Sequence, residues 1–322
     1  MKKILTLTLA LFLVLSLVAC DVSTNDEIKK PSNVEIGDTG ETGTNGGSTE
    51  SVENNGTNSE DTENTNNNNQ PSKTEVTIEQ TVLLDESGVK IIAKSINMDS
   101  LFGPEIKLYI ENNSGKDLTI QCRNVSVNGY MVDAMMSVDI VNGKKANDSL
   151  TFMSSDLESC GITDIADIEL SFHIFTTSDW EDYLDTDQIQ LKTSIADNYQ
   201  YIFDDSGDIA YNANGIKVII KGLSENASIF GPSIVVYIEN NTNKAITVQS
   251  RDVSINSFMV DAMFSCEVMP SKKAVDTITF LESDLEKNEI TNIDNLELYF
   301  HIFDAESWDD IVDTDVVKIT FN

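Results

Sequence analysis

The chain has 322 residues, enough for two ordinary domains. It carries 54 acidic against 21 basic side chains, a formal net charge of −33. A surface this negative repels phosphate backbones and anionic lipid headgroups, so it excludes nucleic acid as a partner and excludes membrane attachment through a basic patch.

The chain opens MKKILTLTLALFLVLSLVAC. Lys2 and Lys3 form a positive start, and Ile4 to Val18 is an apolar run too short to cross a bilayer comfortably. It ends in Leu17-Val18-Ala19-Cys20, which resembles the bacterial lipobox. That resemblance implies a lipoprotein signal peptide over residues 1–19. It also implies that Cys20 becomes the mature N-terminus, with a diacylglyceryl group held as a thioether on its thiol. At about 0.8 kcal/mol per buried CH₂, two acyl chains anchor stably where one does not. The expected location is the outer face of the cell membrane.

Residues 20–76 follow, rich in Asn, Thr, Ser, Gly and Glu, and from Gly40 to Ser72 they contain almost no apolar residue. Such a segment cannot bury enough surface to offset its ordering entropy, and a disordered acidic tether is expected. A flexible chain of this length spans roughly 40 Å root-mean-square.

The remainder is an internal repeat. From Phe102 onward, adding 128 to a residue number gives its counterpart: FGPEIKLYIENNSGKDLTIQCRNVSVNGYMVDAMMS matches FGPSIVVYIENNTNKAITVQSRDVSINSFMVDAMFS. Before Phe102 the offset is 127, since Gly88 pairs with Gly215. A unit of this length is a domain rather than a solenoid repeat. The boundaries read as 77–195 and 207–322, with the joint at Asn198 to Asp208. Each copy offers short strands rich in Val, Ile, Thr, Phe and Tyr, such as VKIIAKSI, EIKLYIEN, YMVDAMMSVDI and IELSFHIF, separated by polar turns. The expected fold is all-β, two tandem antiparallel sandwiches. SSDLE is read as one turn of helix. YIENNSGKDLTI and GKKANDSLTFM resemble the immunoglobulin-like modules of uncharacterised function in Gram-positive surface lipoproteins, which implies that fold and leaves function open.

The chain has two histidines, His173 and His301, one in each copy of FHIF. Alternation places Leu170, Phe172 and Ile174 on one strand face and His173 on the other. With no His, Cys or HExxH companion and no nucleophile motif, a framework role is expected for both. DWEDYLDTD and SWDDIVDTD supply oxygen ligands close in sequence: Asp182, Asp185 and Asp187, then Asp310, Asp313 and Asp315. Such ligands suit Ca²⁺, but the spacing is not that of an EF-hand. The alternative is a solvated turn with Trp180 or Trp308 plugging the sandwich end; no cofactor beyond the lipid is expected.

In YMVDAMMSVDI, one face (Val132, Ala134, Met136, Val138, Ile140) reads as core, and its counterpart face includes Cys266. The other presents Met131, Asp133 and Met135, with Met259, Asp261 and Met263 in the second copy. This is an adaptable contact surface if exposed, or packing if covered. Alternation breaks at Arg123 and Arg251, the mark of a β-bulge. Cys122 and Cys160 stand where the second copy has Ser250 and Asn288, which fits a disulfide in an oxidising exterior and also fits independent drift.

The functional expectation is a non-catalytic binding or adhesion module for a surface protein or wall polymer. The alternatives are a structural spacer and, further off, a solute-binding lipoprotein.

Overall fold

The computed structural model describes residues 28–37, 75–228 and 230–321. The expected signal peptide, Cys20 and most of the expected tether lie outside the described residues. Strand β1 (Asn33–Ile36) comes first. The first repeat contains β2 (Thr81–Glu86), β3 (Val89–Asn97), β4 (Glu105–Asn112), β5 (Leu118–Val127), β6 (Tyr130–Met131), β7 (Ala134–Met135) and β8 (Ser137–Ile140). It continues with β9 (Lys144–Phe152), helix α1 (Ser154–Ser159), β10 (Asp167–Thr176), β11 (Asp182–Asp185) and β12 (Ile189–Lys192). The second repeat matches it element for element. It contains β13 (Asp208–Ala213), β14 (Ile216–Ser228), β15 (Gly231–Asn240), β16 (Ile246–Ile255), β17 (Phe258–Met259) and β18 (Ala262–Met263). It ends with β19 (Ser265–Val268), β20 (Lys272–Phe280), helix α2 (Glu282–Lys287), β21 (Asn295–Asp304), β22 (Asp310–Asp313) and β23 (Val317–Thr320).

The fold is an all-β sandwich arrangement of antiparallel sheets. Strands β2, β3, β4, β9 and β7 form one sheet, and the β23, β21, β16 and β17 set, edged by β1, forms another. Between them runs an 11-stranded sheet to which both repeats contribute. Alternating Val, Ile, Leu and Phe side chains meet between the layers in two hydrophobic clusters, one centred on each repeat.

The Asn-rich turns have a physical cause. Asn112 is fully buried at the end of β4. Its Nδ2 donates to the carbonyls of Lys116 and Ile140, both at 2.8 Å, and its Oδ1 accepts from the Ser114 amide at 3.0 Å. Asn240 repeats this with Lys244, Val268 and Thr242. A buried amide that satisfies its own hydrogen-bonding groups this fully sets the turn and its register together. In FGP, Gly103 has φ +131, and a Cβ there would lie 2.1 Å from the Phe152 carbonyl oxygen, so only glycine fits.

YMVDAMMSVDI is not one strand. It breaks into β6, which pairs with β5, β7, which crosses to β9 of the opposite sheet, and β8, which returns to β5. The expected core face holds nonetheless, because Val132, Met136 and Ile140 are buried. The expected bulge is present where Arg123 leaves register against β10, with Asn124 at φ +52.

The repeats are fused at one point. Tyr130 of β6 pairs in parallel with Lys273 of β20, and the Lys273 amide donates to the Gly129 carbonyl at 3.0 Å. Tyr130 is 3% exposed. The Lys273 ammonium sits 5.6 Å above its ring, and Tyr201 and Phe203 of the joint close over it at 5.6 and 5.5 Å. Phe203 stacks in turn on Tyr237 of β15. Lys272 pairs with Glu169 of β10 at 2.5 Å. Met131 packs on the second repeat's cluster, while Ile219 and Tyr237 of the second repeat belong to the first repeat's cluster.

The tether expectation is corrected for residues 28–37. Strand β1 adds to the outer edge of β23, with Val34 opposite Ile319, and Lys29 exchanges two backbone hydrogen bonds with Leu223 at 2.8 and 2.9 Å. Gly222 allows this approach: a Cβ there would lie 2.7 Å from the Lys29 carbonyl oxygen, and the first repeat has Ser95 at the matching position. The signal was hidden because three apolar residues, Ile28, Val34 and Ile36, are diluted in polar sequence. Glu35→Pro removes the amide that faces Lys318 across this edge and is expected to cost about 1–2 kcal/mol. Amide exchange should accelerate across Val317–Thr320 and stay unchanged across Ile189–Lys192; equal exchange in both strands would show that β1 contributes nothing.

Candidate functional site

Each repeat carries the same aromatic column on its β10–β11 or β21–β22 hairpin. His173 lies directly opposite Asp185 across the strand pair, and His301 opposite Asp313. Each Nδ1 meets its carboxylate at 2.6 Å. The Nε2 atoms face Asp182 at 3.8 Å and Asp310 at 3.6 Å. Both rings are therefore oriented by acids on the next strand. His173 then contacts Phe175 at 5.1 Å, and Phe175 stacks on Trp180 at 5.3 Å. His301, Phe303 and Trp308 reproduce this at 5.2 and 5.6 Å.

The two tryptophans are not plugs. Trp180 is 69% exposed and Trp308 73%, each with one face on phenylalanine and the other turned to solvent. Both sit at positive φ, +60° and +64°. A bulky side chain in the left-handed region costs about 1–3 kcal/mol and persists only where its surroundings enforce it.

The two turns enforce it with different chemistry. Thr176 Oγ1 bonds Asp179 and accepts the Glu181 amide at 3.0 Å. At the matching position Asp304 accepts the amides of Glu306 and Ser307, both at 3.0 Å, and pairs with Lys244 at 2.6 Å. That pairing, first of all, holds the Asp304 carboxyl down at about 2. In both turns the tryptophan amide donates to the carbonyl of this residue, at 3.0 and 2.9 Å. The same exposed ring is thus presented by two unlike sets of contacts.

The calcium candidates divide. Asp185 and Asp313 are taken by the histidines, Asp182 and Asp310 lean toward them, and Asp187 and Asp315 lie further along the chain. Among the described residues no group of three or more His, Cys, Asp or Glu is placed to hold a metal. Cys122 and Cys160 are free thiols rather than a disulfide. Cys122 contacts the Ala134 carbonyl across the sandwich, Cys160 closes α1 in the core, and burial pushes both thiols up to about 12. Cys266 is buried, as expected from its strand face.

The methionine surface is split between the repeats. Met131 and Met135 are half-buried, whereas Met259 is 65% exposed and Met263 42%. Asp133 and Asp261 are exposed, and their amides bond Asp156 and Asp284 of the following helices at 2.6 and 2.9 Å. In the first repeat Met131 of this surface packs into the joint.

The recurrence of a histidine and an aspartate twelve positions later in both copies was a readable signal for the His–Asp pairs. The exposure of the tryptophans was not, since it depends on a backbone conformation that composition does not announce.

No family model matches the chain, and no curated protein matches it. Among solved structures it is similar to a crystal structure of the YadV chaperone, at 11% identity and a TM-score of 0.21 over 67% of this chain and 91% of that one.

Where the repeats meet, Asp276 of β20 and Asp156 of α1 are both raised to about 6 by burial, Asp156 further by the nearby Asp133 carboxylate. Their folded values lie above the unfolded value near 4, so the folded state binds more protons. The stability they contribute is complete below pH 4 and is lost as pH rises through 6. Asp276→Asn keeps an acceptor for the Thr277 amide and is expected to raise stability at pH 7.5 by about 1–2 kcal/mol. Urea titrations at pH 4.5 and 7.5 check this; equal effects at both would disprove the assignment.

Proposed function

We propose that this is a lipid-anchored, outward-facing surface protein whose tandem immunoglobulin-like modules bind a wall polymer without catalysis. The observation that carries the reading is the pair of outward tryptophans, Trp180 and Trp308, each held at positive φ on a Phe–His–Asp column. A rigid aromatic face with little conformational entropy to lose is a landing surface for the apolar face of a sugar ring, and nearby carboxylates accept its hydroxyls. The acidic surroundings favour a neutral or amine-bearing polymer over a phosphate-rich one. Two weak sites on one rigid joint gain from effective concentration when a repeating polymer engages both.

With Cys20 as the lipidated residue, Lys29 lies nine positions further on. At about 3.3–3.6 Å per residue, nine residues reach at most about 30 Å, so the second repeat sits near the bilayer rather than at the end of a long stalk. Mass spectrometry of the native protein should find an N-terminal peptide beginning at Cys20 with a diacylglyceryl adduct; an unmodified Cys20 would refute the anchor.

The chain holds two tryptophans in all, so its indole emission reports these two sites alone. Titration with solubilised peptidoglycan fragments is expected to shift that emission, and Trp180→Ala with Trp308→Ala to reduce co-sedimentation with intact sacculi at least tenfold. Unchanged emission together with unchanged co-sedimentation of the double variant would overturn the proposal.

A further inference from the structure

From the unequal exposure of matched positions in the two repeats, we infer that the contact joining them inside one chain is also made between chains, as a head-to-tail self-association. The joint consists of a knob on the first repeat and a socket on the second. The knob is the β5–β6 turn, with Asn128 and Gly129 at φ +52 and +84, followed by Tyr130 and flanked by Glu169. The socket is the β15–β20 edge, with Lys272, Lys273, Tyr237 and Glu239.

Each half has a counterpart with no other repeat against it, although within its own repeat Lys145 pairs with Glu111 at 2.8 Å and Glu297 with Lys318 at 3.2 Å. The second repeat presents the same turn at Asn256 and Ser257, φ +50 and +72, followed by Phe258 and flanked by Glu297. Ser257 holds the left-handed conformation that glycine supplies in the first repeat. Phe258 is 49% exposed, against 3% for Tyr130. The first repeat presents the same socket as Lys144, Lys145, Tyr109 and Glu111. Tyr109 is half-buried and the Lys145 side chain 63% exposed, whereas Tyr237 is 1% exposed.

The occupant is therefore a second copy of this chain. Both lysine contacts of the joint have an in-trans equivalent: Lys272 with Glu169 becomes Lys144 with Glu297, exchanged from Lys318, and Lys273 over the Tyr130 ring becomes Lys145 over the Phe258 ring, exchanged from Glu111. The parallel bridge between Lys273 and Tyr130 becomes one between Lys145 and Phe258, continuing β17 onto the free edge of β9. Such a contact is heterologous and extends as a row or closes as a ring. It does without Tyr201 and Phe203, which cover Tyr130 within the chain, and Asn147 replaces Val275, so it is weaker than the joint itself.

The test uses full-length chains co-expressed on cells, one with Phe258→Cys and the other with Lys145→Cys, read as disulfide-linked dimer. Bridged partners lie within disulfide reach. The expected yield is at least tenfold above that of Phe258→Cys with Lys107→Cys. Adding Lys144→Glu to the socket chain should lower it three- to tenfold, and adding Glu297→Lys to the knob chain should restore it. A yield no higher than the control, or one that Lys144→Glu leaves unchanged, would overturn the inference; all five positions are exposed or half-exposed, and unchanged melting temperatures confirm folding.

Discussion

The burial of Tyr130 organises this molecule. One aromatic side chain at the tip of a two-residue strand is enclosed by a lysine of the other repeat and by two aromatic rings of the joint. Its backbone carries the single parallel bridge in a protein whose other strand pairs, among the described residues, are antiparallel. Through that bridge a sheet of the first repeat and a sheet of the second become one, and each hydrophobic cluster takes in residues of the other repeat. The two copies share much of their sequence, yet the contact makes them unequal. Met131 is packed into the contact while its counterpart Met259 is exposed, and the carboxyls of Asp133, Asp156 and Asp276 lie close together where the repeats meet.

Much of the fold was legible because it rests on short-range rules. The 128-residue offset, the alternation of IELSFHIF, the bulge at Arg123 and the short helix at SSDLE are local patterns, and each has its structural counterpart. Three features were not legible, for separate reasons. Strand β1 carries too few apolar residues to stand out, and its partner edge lies nearly three hundred residues away. YMVDAMMSVDI keeps an unbroken alternation while switching sheets, so periodicity found its core face and not its breaks. Trp180 and Trp308 looked like core by residue type, and only their backbone conformation turns them outward.

The candidate site shows the same division between local and non-local causes. DTD recurs in both copies, and its first aspartate faces histidine in both. Strand pairing turned acids that looked like metal ligands into partners that orient a ring. The turn beneath each tryptophan is built by Thr176 in one copy and Asp304 in the other, yet the exposed ring is the same. Two outward rings carried on one compact unit are the feature from which a repeating polymer is proposed as the ligand.

The central claim is that the Tyr130 contact makes the two repeats one cooperative body. Urea unfolding, followed by far-ultraviolet circular dichroism and by tryptophan emission together, tests it most directly. In the unmodified protein the two signals should trace one transition. Tyr130→Ala should separate it into two, with the repeats unfolding independently. Two transitions in the unmodified protein, or a single unshifted one in Tyr130→Ala, would contradict the account.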